Sequence, residues 1–494
     1  MRRTRFLAAL FSALLIAAPF LPSAAAEKSN PSASPAASSV AAPATLPSTP
    51  AGKLFSDLLA AFNAGDASKL QAFKEKHRAQ WSVDGMIDAH DNLGDLTLLQ
   101  VEKSEPLALS VLMGESDSDR VHRVNVAIDG SAPPMLLDMQ FQPATAPAHL
   151  AVPRRPLRDA LAETEARAKE LARSDKFSGT YLVARGDDVL LQGALGQADR
   201  ETQLPVKLDT QFRLGSMNKM FTAVAILKLV AAGKLSLDDT VGKNLPDYPN
   251  KDVASKVTVR HLLTHNGGTG DIFGPEFDAN RLSLKEHSDY LRIYGSRGLG
   301  HEPGAEFRYS NYGFVLLGLL IEKVSGQSYY DFVEQQIFRP AGMKSTASLP
   351  ESADVPRRAA GYTKKERKWA PSTDTLPYRG MAAGGGYSTV GDLLLFARAL
   401  EKGKLIPKEL LTQATSKQAS GGPGFNYGFG FGVFGTDSTI GYGHGGGAPG
   451  MNGDLRVYPK LGYTVIALSS LDPPAGSRIV EFFTTRMPVD PVER

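Results

Sequence analysis

A chain of 494 residues without a cysteine can form no disulfide, offers no thiol nucleophile and builds no zinc-thiolate site. Its formal charge of +3 equals the arginines Arg2, Arg3 and Arg5, so the remainder is near neutral, which argues against nucleic acid or an anionic membrane surface as main partner. The length implies more than one domain, and 42% apolar residues are ample for packed cores.

The amino end reads Met1-Arg2-Arg3-Thr4-Arg5, then an apolar run from Phe6 to Leu21, then Ala24-Ala25-Ala26. A basic start, an apolar middle and an Ala-x-Ala end predict a cleavable signal peptide over 1–26, and with it a periplasmic or secreted protein. The apolar run of about 16 residues falls short of the roughly 20 that span a bilayer, so no membrane anchor is expected after cleavage. Residues 27–52 are mostly Ser, Pro, Ala and Thr and read as a disordered linker, with too little apolar surface to fold.

Leu54, Leu58, Leu59 and Phe62 share one helix face that ends near Gly65, and Leu70 to His77 continue in a second helix. Strands are predicted at 96–101, 107–112, 121–128 and 136–141. Two helices followed by a meander make a small α+β domain over 53–142, which resembles the cone-shaped NTF2-like domains. Pro143, Pro147, Pro153 and Pro156 among alanines mark a second linker, 143–156.

The main domain, 157–494, opens with an amphipathic helix over 157–173 and strands at 179–184 and 189–194, joined by Gly186-Asp187-Asp188. At its far end strands 454–458 and 463–468 form a hairpin across Pro459 to Gly462, and a last helix covers 476–486. Strands from both ends can pair in one antiparallel sheet with the terminal helices packed on it. The mostly helical middle, 217–411, then forms a second lobe.

Within that middle, Met220, Phe221, Val224, Leu227 and Val230 recur at helical spacing, predicting a helix from Met217 to about Leu235 with Gly233 placed to stop it. Ser216 then stands at the positive end of the helix with Lys219 on the same face, a hydroxyl within reach of an amine. A Ser-x-x-Lys arises about once by chance in a chain of this size, and taken alone it is more often an N-cap serine beside a solvated lysine. Two later segments change the reading. Tyr309-Ser310-Asn311 precedes the apolar helical run Phe314 to Val324, and Gly443-His444-Gly445-Gly446-Gly447 precedes the two carboxy-terminal strands. Taken singly, Tyr309 reads as a core aromatic, Asn311 as an N-cap for a helix starting near Tyr312, and the glycines as a turn before an edge strand.

In this order and at these separations, the three segments resemble the active-site motifs of the serine β-lactamase and penicillin-binding-protein superfamily, in the branch of class C β-lactamases, D-aminopeptidases and related esterases. The runs Thr258 to His265, Phe338 to Met343 and Gly384 to Leu393 resemble further segments of that family, so the likeness spans roughly 161–488. It implies a two-lobed α+β fold, an antiparallel sheet flanked by terminal helices plus a helical lobe, with the site between them. It also implies Ser216 as nucleophile with Lys219 and Tyr309 as a coupled base pair. The Asn311 amide is expected to hold Lys219 and a substrate carbonyl. The glycines after His444, Gly446 among them, allow close backbone approach, and the N–H groups of Gly447 and Ser216 are expected to form an oxyanion hole.

His444 stands where the β-lactamases and transpeptidases of the family carry lysine. A histidine of ordinary pKa is mostly neutral near pH 7 and would gain carboxylate affinity only as the pH falls through about 6.5. This departure favours a simple ester or D-amino-acid peptide over a penicillin. No cofactor is implied. His261 and His265 have the i, i+4 spacing of a zinc-protease helix, but Leu262 fills the place of its glutamate, so no metal is expected and both read as capping or packing residues. Leu214 replaces the first glycine of a Gly-x-Ser-x-Gly elbow, which disfavours an α/β-hydrolase.

The expected protein is an exported serine hydrolase that takes a small ester, amide or peptide through an acyl-enzyme on Ser216. Its rivals are a silent protein of the same fold binding a peptide or peptidoglycan fragment, and a true β-lactamase or D-Ala-D-Ala carboxypeptidase. A further alternative makes 53–142 the functional part, as an interaction module.

Overall fold

The computed structural model describes residues 44–365, 367–422 and 424–490. The predicted signal peptide, 1–26, and residues 27–43 of the predicted linker lie outside them. The chain divides between Arg154 and Arg155 into two compact units.

The small unit begins with helix α1 (Pro50–Asn63), whose N-cap Thr49 accepts from Gly52 N–H at 3.2 Å. The helix therefore starts inside the segment read as linker, because Pro50 sits at the first turn, where its missing N–H costs nothing. Helix α2 (Ala67–His77) is capped by Asp66, and α3 (Val83–Leu93) by Ser82. The sequence reading missed α3. Gly85 and three aspartates leave only Met86, Ile87 and Ala89 buried, too few apolar positions for a periodic signal. Strands β1 (Leu96–Ser104), β2 (Ala108–Glu115), β3 (Val121–Ile128) and β4 (Leu136–Ala144) follow as an antiparallel meander. One core of Leu54, Phe55, Leu58, Ile87, Val111 and Val124 joins these helices to the sheet.

The main unit is built on an eight-stranded sheet. Helix α4 (Leu157–Arg173) leads into β5 (Gly179–Arg185) and β6 (Asp188–Leu195). Far along the chain come the short β7 (Ala419–Ser420), β8 (Asn426–Tyr427) and β9 (Gly432–Phe434). They are followed by β10 (Gly441–Ala448), β11 (Met451–Tyr458) and β12 (Tyr463–Ser469). The strand order is β7-β8-β9-β10-β11-β12-β5-β6, and β12 pairs antiparallel with β5 from Tyr463↔Arg185 to Ser469↔Gly179. Both chain ends of the unit thus meet in one sheet.

Every residue of β11 and β12 is buried, which fits a sheet covered on both faces. The carboxy-terminal helix, Ser477–Arg486, packs on β12 and on α4, while the helix Val390–Glu401 packs on β12 and β5. Taken singly, the glycines after His444 read as a turn before an edge strand, yet Gly441–Ala448 is itself a strand paired with β11. Glycine weakens strand propensity, so the pattern hid a strand that pairing with β11, and with β9 at its start, holds in place.

The helical lobe centres on α5 (Asn218–Ala231) and α6 (Asn311–Ser325), which pack against each other. Helix α5 is shorter than predicted, ending ahead of Gly233, whose φ of +68° a residue with Cβ tolerates poorly. It is buried almost all round, as a helix in the middle of a large core must be. Phe221 meets Phe338 and Phe396 edge-on, with centroids 5.1 and 4.8 Å away. Phe221→Ala should therefore cost about 3–5 kcal/mol, read as a lower urea midpoint for unfolding at unchanged slope.

Candidate active site

Ser216 lies in a single 3₁₀ turn, Gly215–Met217, that runs directly into α5. The turn is clamped from two sides. Leu214 N–H donates to Gly386 O and Gly385 N–H to Gly215 O, each at 3.0 Å. Against its other side runs β10, so close that a Cβ on Gly446 would stand 2.0 Å from Leu214 O. Gly215 has φ +53° and a Cβ there would sit 3.0 Å from Gly447 N, so both chains need glycine at the contact. Gly447 N, one of the predicted oxyanion donors, thereby lies against Gly215, the residue before Ser216.

One turn beyond Ser216, Lys219 is fully buried. Its Nζ lies 3.2 Å from Ser216 Oγ, 2.7 Å from Asn311 Oδ1, and in contact with Ala383 O. Burial lowers its pKa from the usual 10.5 to about 7, with Asp271 pulling the other way. A neutral amine has two hydrogens and one lone pair. The Asn311 and Ala383 oxygens only accept, so they take the two hydrogens, and the lone pair is left for the Ser216 hydroxyl.

Ala383 is held for this task by several buried groups. Asn218 Nδ2 donates to Met381 O and Thr222 Oγ1 to Ala382 O, each at 2.7 Å. Ala382 N–H donates to His287 Nε2 at 3.0 Å, so the His287 proton sits on Nδ1, facing Glu322 Oε1 at 3.0 Å.

The second motif arrives at the start of α6. Ser310, not Asn311, is the N-cap: its Oγ accepts from Gly313 N–H at 2.9 Å. This corrects the capping role read for Asn311, which is the first helical residue and is free to face inward. Its Oδ1 accepts from Lys219, while its Nδ2 donates to Asp271 Oδ1 and Oδ2 at 3.0 and 3.2 Å. The amide donors thus face a carboxylate, where the sequence reading expected a substrate carbonyl.

The Tyr309 ring lies 4.7 Å from Lys219 Nζ. Burial pushes its hydroxyl well above the usual tyrosine range, against the opposing pull of the Ser216 hydroxyl. Between the two candidate bases, the neutral amine is the accessible form near pH 7 and the tyrosinate is not.

The third motif comes from β10. His444 is buried, its Nε2 2.8 Å from Tyr427 Oη and its Nδ1 against Gly445 O. A carbonyl only accepts, so Nδ1 carries the proton and Nε2 accepts from the Tyr427 hydroxyl. Burial, then the nearby Lys219, lowers the His444 pKa from 6.5 to about 3. The ordinary value assumed from sequence is therefore overturned, since the cost of desolvating an imidazolium is set by packing. His444 stays neutral far below pH 6.5.

The histidine pair separates. His261 completes a capping box on the short helix Val259–Leu263, accepting through Nδ1 from Thr258 N–H while Thr258 Oγ1 accepts from His261 N–H. His265 lies beyond that helix at φ +58°, accepts from Ser310 N–H at 3.0 Å, and stacks on Tyr309 at 4.1 Å. It is more than a packing residue remote from the chemistry. Burial, Lys219 and His444 all hold its pKa well below the usual value.

Asp271, Ala383 and Tyr427 were not legible as site residues. Asp271 carries only the weak signal of following Gly267-Gly268-Thr269-Gly270.

Residues 164–485 match the family model described as Beta-lactamase. The chain belongs to the beta-lactamase family, a family of serine hydrolases with this two-lobed fold. It is 33% identical over 322 residues to a penicillin-binding protein of Bacillus subtilis (strain 168), covering 61% of this chain and 69% of that protein. It is 30% identical over 290 residues to esterase EstB of Burkholderia gladioli, covering 50% of this chain and 73% of EstB. A D-stereospecific amidohydrolase from Streptomyces sp. superposes with a TM-score of 0.56 at 30% identity, over 65% of this chain and 97% of that one. Among the described residues, no helix is long and apolar enough to cross a membrane.

Because His444 is held neutral, its imidazole resonances should not titrate between about pH 5 and 8. NMR of the protein labelled at histidine, with His444→Gln for assignment, checks this; a midpoint near 6.5 would contradict the buried, doubly bonded ring.

Proposed function

We propose that this protein is an exported hydrolase that takes ester or amide substrates through an acyl-enzyme on Ser216. One observation carries the reading: a buried amine with its pKa near 7 lies 3.2 Å from Ser216 Oγ, and its two other partners only accept. A serine hydroxyl is a poor nucleophile without a base, and this arrangement supplies one already desolvated.

In the proposed step, Ser216 Oγ forms a bond to the substrate carbonyl carbon as its proton passes to Lys219 Nζ. The N–H groups of Ser216 and Gly447 receive the oxyanion. The adduct then collapses by breaking the bond from that carbon to the ester oxygen or amide nitrogen, which leaves with the proton of the Tyr309 hydroxyl, and Tyr309 is reprotonated from Lys219. Water then releases the acyl group by the reverse route.

His444 favours uncharged acyl groups. A neutral imidazole whose donor is taken by Gly445 O and whose acceptor is taken by Tyr427 offers no fixed charge to a carboxylate. A simple ester or a D-amino-acid peptide therefore suits the site better than a penicillin, and the likeness to an esterase and to a D-stereospecific amidohydrolase supports that order. Export rests on the basic, apolar and Ala-x-Ala pattern of 1–26.

A fluorophosphonate should add mass to one tryptic peptide, that containing Ser216, and Ser216→Ala should abolish the addition. Labelling that persists in the variant would refute the nucleophile.

The pH dependence has a defined sign. The ammonium form of Lys219 has no lone pair, so kcat/KM should fall as the pH drops through the Lys219 pKa, about 7, and level off above it. A rate profile on a nitrophenyl ester checks this, and a limb near 10 would return the base role to an unperturbed amine.

A further inference from the structure

We infer that Asp271 is a positioning residue of this site: by accepting from Asn311 it fixes which way that amide faces, and so holds the Lys219 amine against Ser216. The inference rests on the proposed acylation of Ser216.

An asparagine amide has an oxygen and an NH2 of nearly the same shape, and only its partners decide which end faces which way. Here the partners differ. Asp271 presents two carboxylate oxygens at 3.0 and 3.2 Å from Asn311 Nδ2, and Lys219 Nζ lies 2.7 Å from Oδ1. Turning the amide over would set its oxygen against the carboxylate and its NH2 against the amine hydrogens, replacing three hydrogen bonds by unfavourable contacts. A carboxylate at 271 therefore selects the orientation in which Asn311 accepts from Lys219. That in turn leaves the amine lone pair for Ser216, as argued above.

Asp271 is itself held rigidly. Its Oδ1 accepts from Ile272 N–H at 2.6 Å and its backbone carbonyl from Arg297 Nη1 at 2.7 Å. The preceding residue, Gly270, accepts through its carbonyl from Ser310 Oγ, the same hydroxyl that caps α6. Loop and helix start are thus one hydrogen-bonded body, so the carboxylate and Asn311 keep their separation.

Charge follows the same line. The titratable groups facing Lys219 are Tyr309 ahead of α6, His265 beyond the short helix, His444 on β10 and Asp271 in the loop. The first three are neutral near pH 7, which leaves the Asp271 carboxylate, among the described residues, as the charge that favours the ammonium. Arg297 faces the Asp271 backbone and is paired with Glu276.

The test is the second-order rate of fluorophosphonate labelling of Ser216, measured on the full protein across the acid limb, for wild type, Asp271→Asn and Asp271→Ala, with far-UV circular dichroism as the check of folding. Both variants should label about 10- to 100-fold more slowly, since the amine is no longer aimed. Both should also move the acid limb to lower pH by about half a unit or more, because losing a nearby anion disfavours the ammonium. A merely structural residue would slow labelling without moving the limb. Asp271→Glu, which restores the charge, should return the limb toward the wild-type position. A limb that stays in place in both neutral variants overturns the inference; if one fails to fold, the other decides. Wild type that labels at Ser216 beside an unmoved variant limb removes this inference alone, whereas wild type that never labels removes the proposed acylation and this inference together.

Discussion

The main unit is organised around one buried amine. An ammonium group taken from water without compensation is so costly that the group either loses its proton or finds acceptors on every side. Lys219 meets both conditions: its pKa falls to about 7, and Ser216, Asn311 and Ala383 surround it. Each of those partners comes from a different part of the chain. Satisfying one side chain therefore ties the start of α5, the start of α6 and the segment Met381–Ala383 into a fixed relation.

The sheet supplies the fourth wall by a different physical route. Strand β10 approaches the Ser216 turn more closely than any residue with a Cβ allows, and the contact is made by glycine on both sides. Close approach places the backbone nitrogen of Gly447 beside Gly215, next in the chain to Ser216. Glycine costs conformational entropy and strand propensity, and that loss is offset by a ladder to β11 over 442–448, with β9 pairing the start of the strand at 441–443. The same strand carries His444 into a dry position where both ring nitrogens are satisfied without a charge.

The electrostatic character of the site follows from packing. Lys219, Tyr309, His265 and His444 are all pushed toward their neutral forms, and burial is the first cause for each. With the tyrosine and both histidines neutral near pH 7 and Lys219 losing its proton there, the site stabilises developing charge through oriented N–H groups, with little help from fixed cations. This suits an uncharged acyl group and a short proton path between Ser216, Lys219 and Tyr309.

What the sequence determined by itself was local or periodic. The apolar spacing of Met220, Phe221, Val224 and Leu227 placed Ser216 and Lys219 at the start of one helix, and the hairpin across Pro459 to Gly462 set two central strands, because helix and strand periods are properties of adjacent residues. The order of the Ser-x-x-Lys, Tyr-x-Asn and His-x-Gly segments pointed to the family. Only the tertiary structure could decide that Gly441–Ala448 is a strand, that His444 is neutral well below pH 6.5, that Ser310 rather than Asn311 caps α6, and that Asp271 stands behind Asn311. The neutrality of His444 and the pairing of Asp271 with Asn311 depend on segments distant in the chain, whereas the strand and the cap use near neighbours, β11 and Gly313 N–H, whose geometry is set by the fold around them. Burial and hydrogen-bond partnership belong to the folded assembly of segments, and no single segment encodes them.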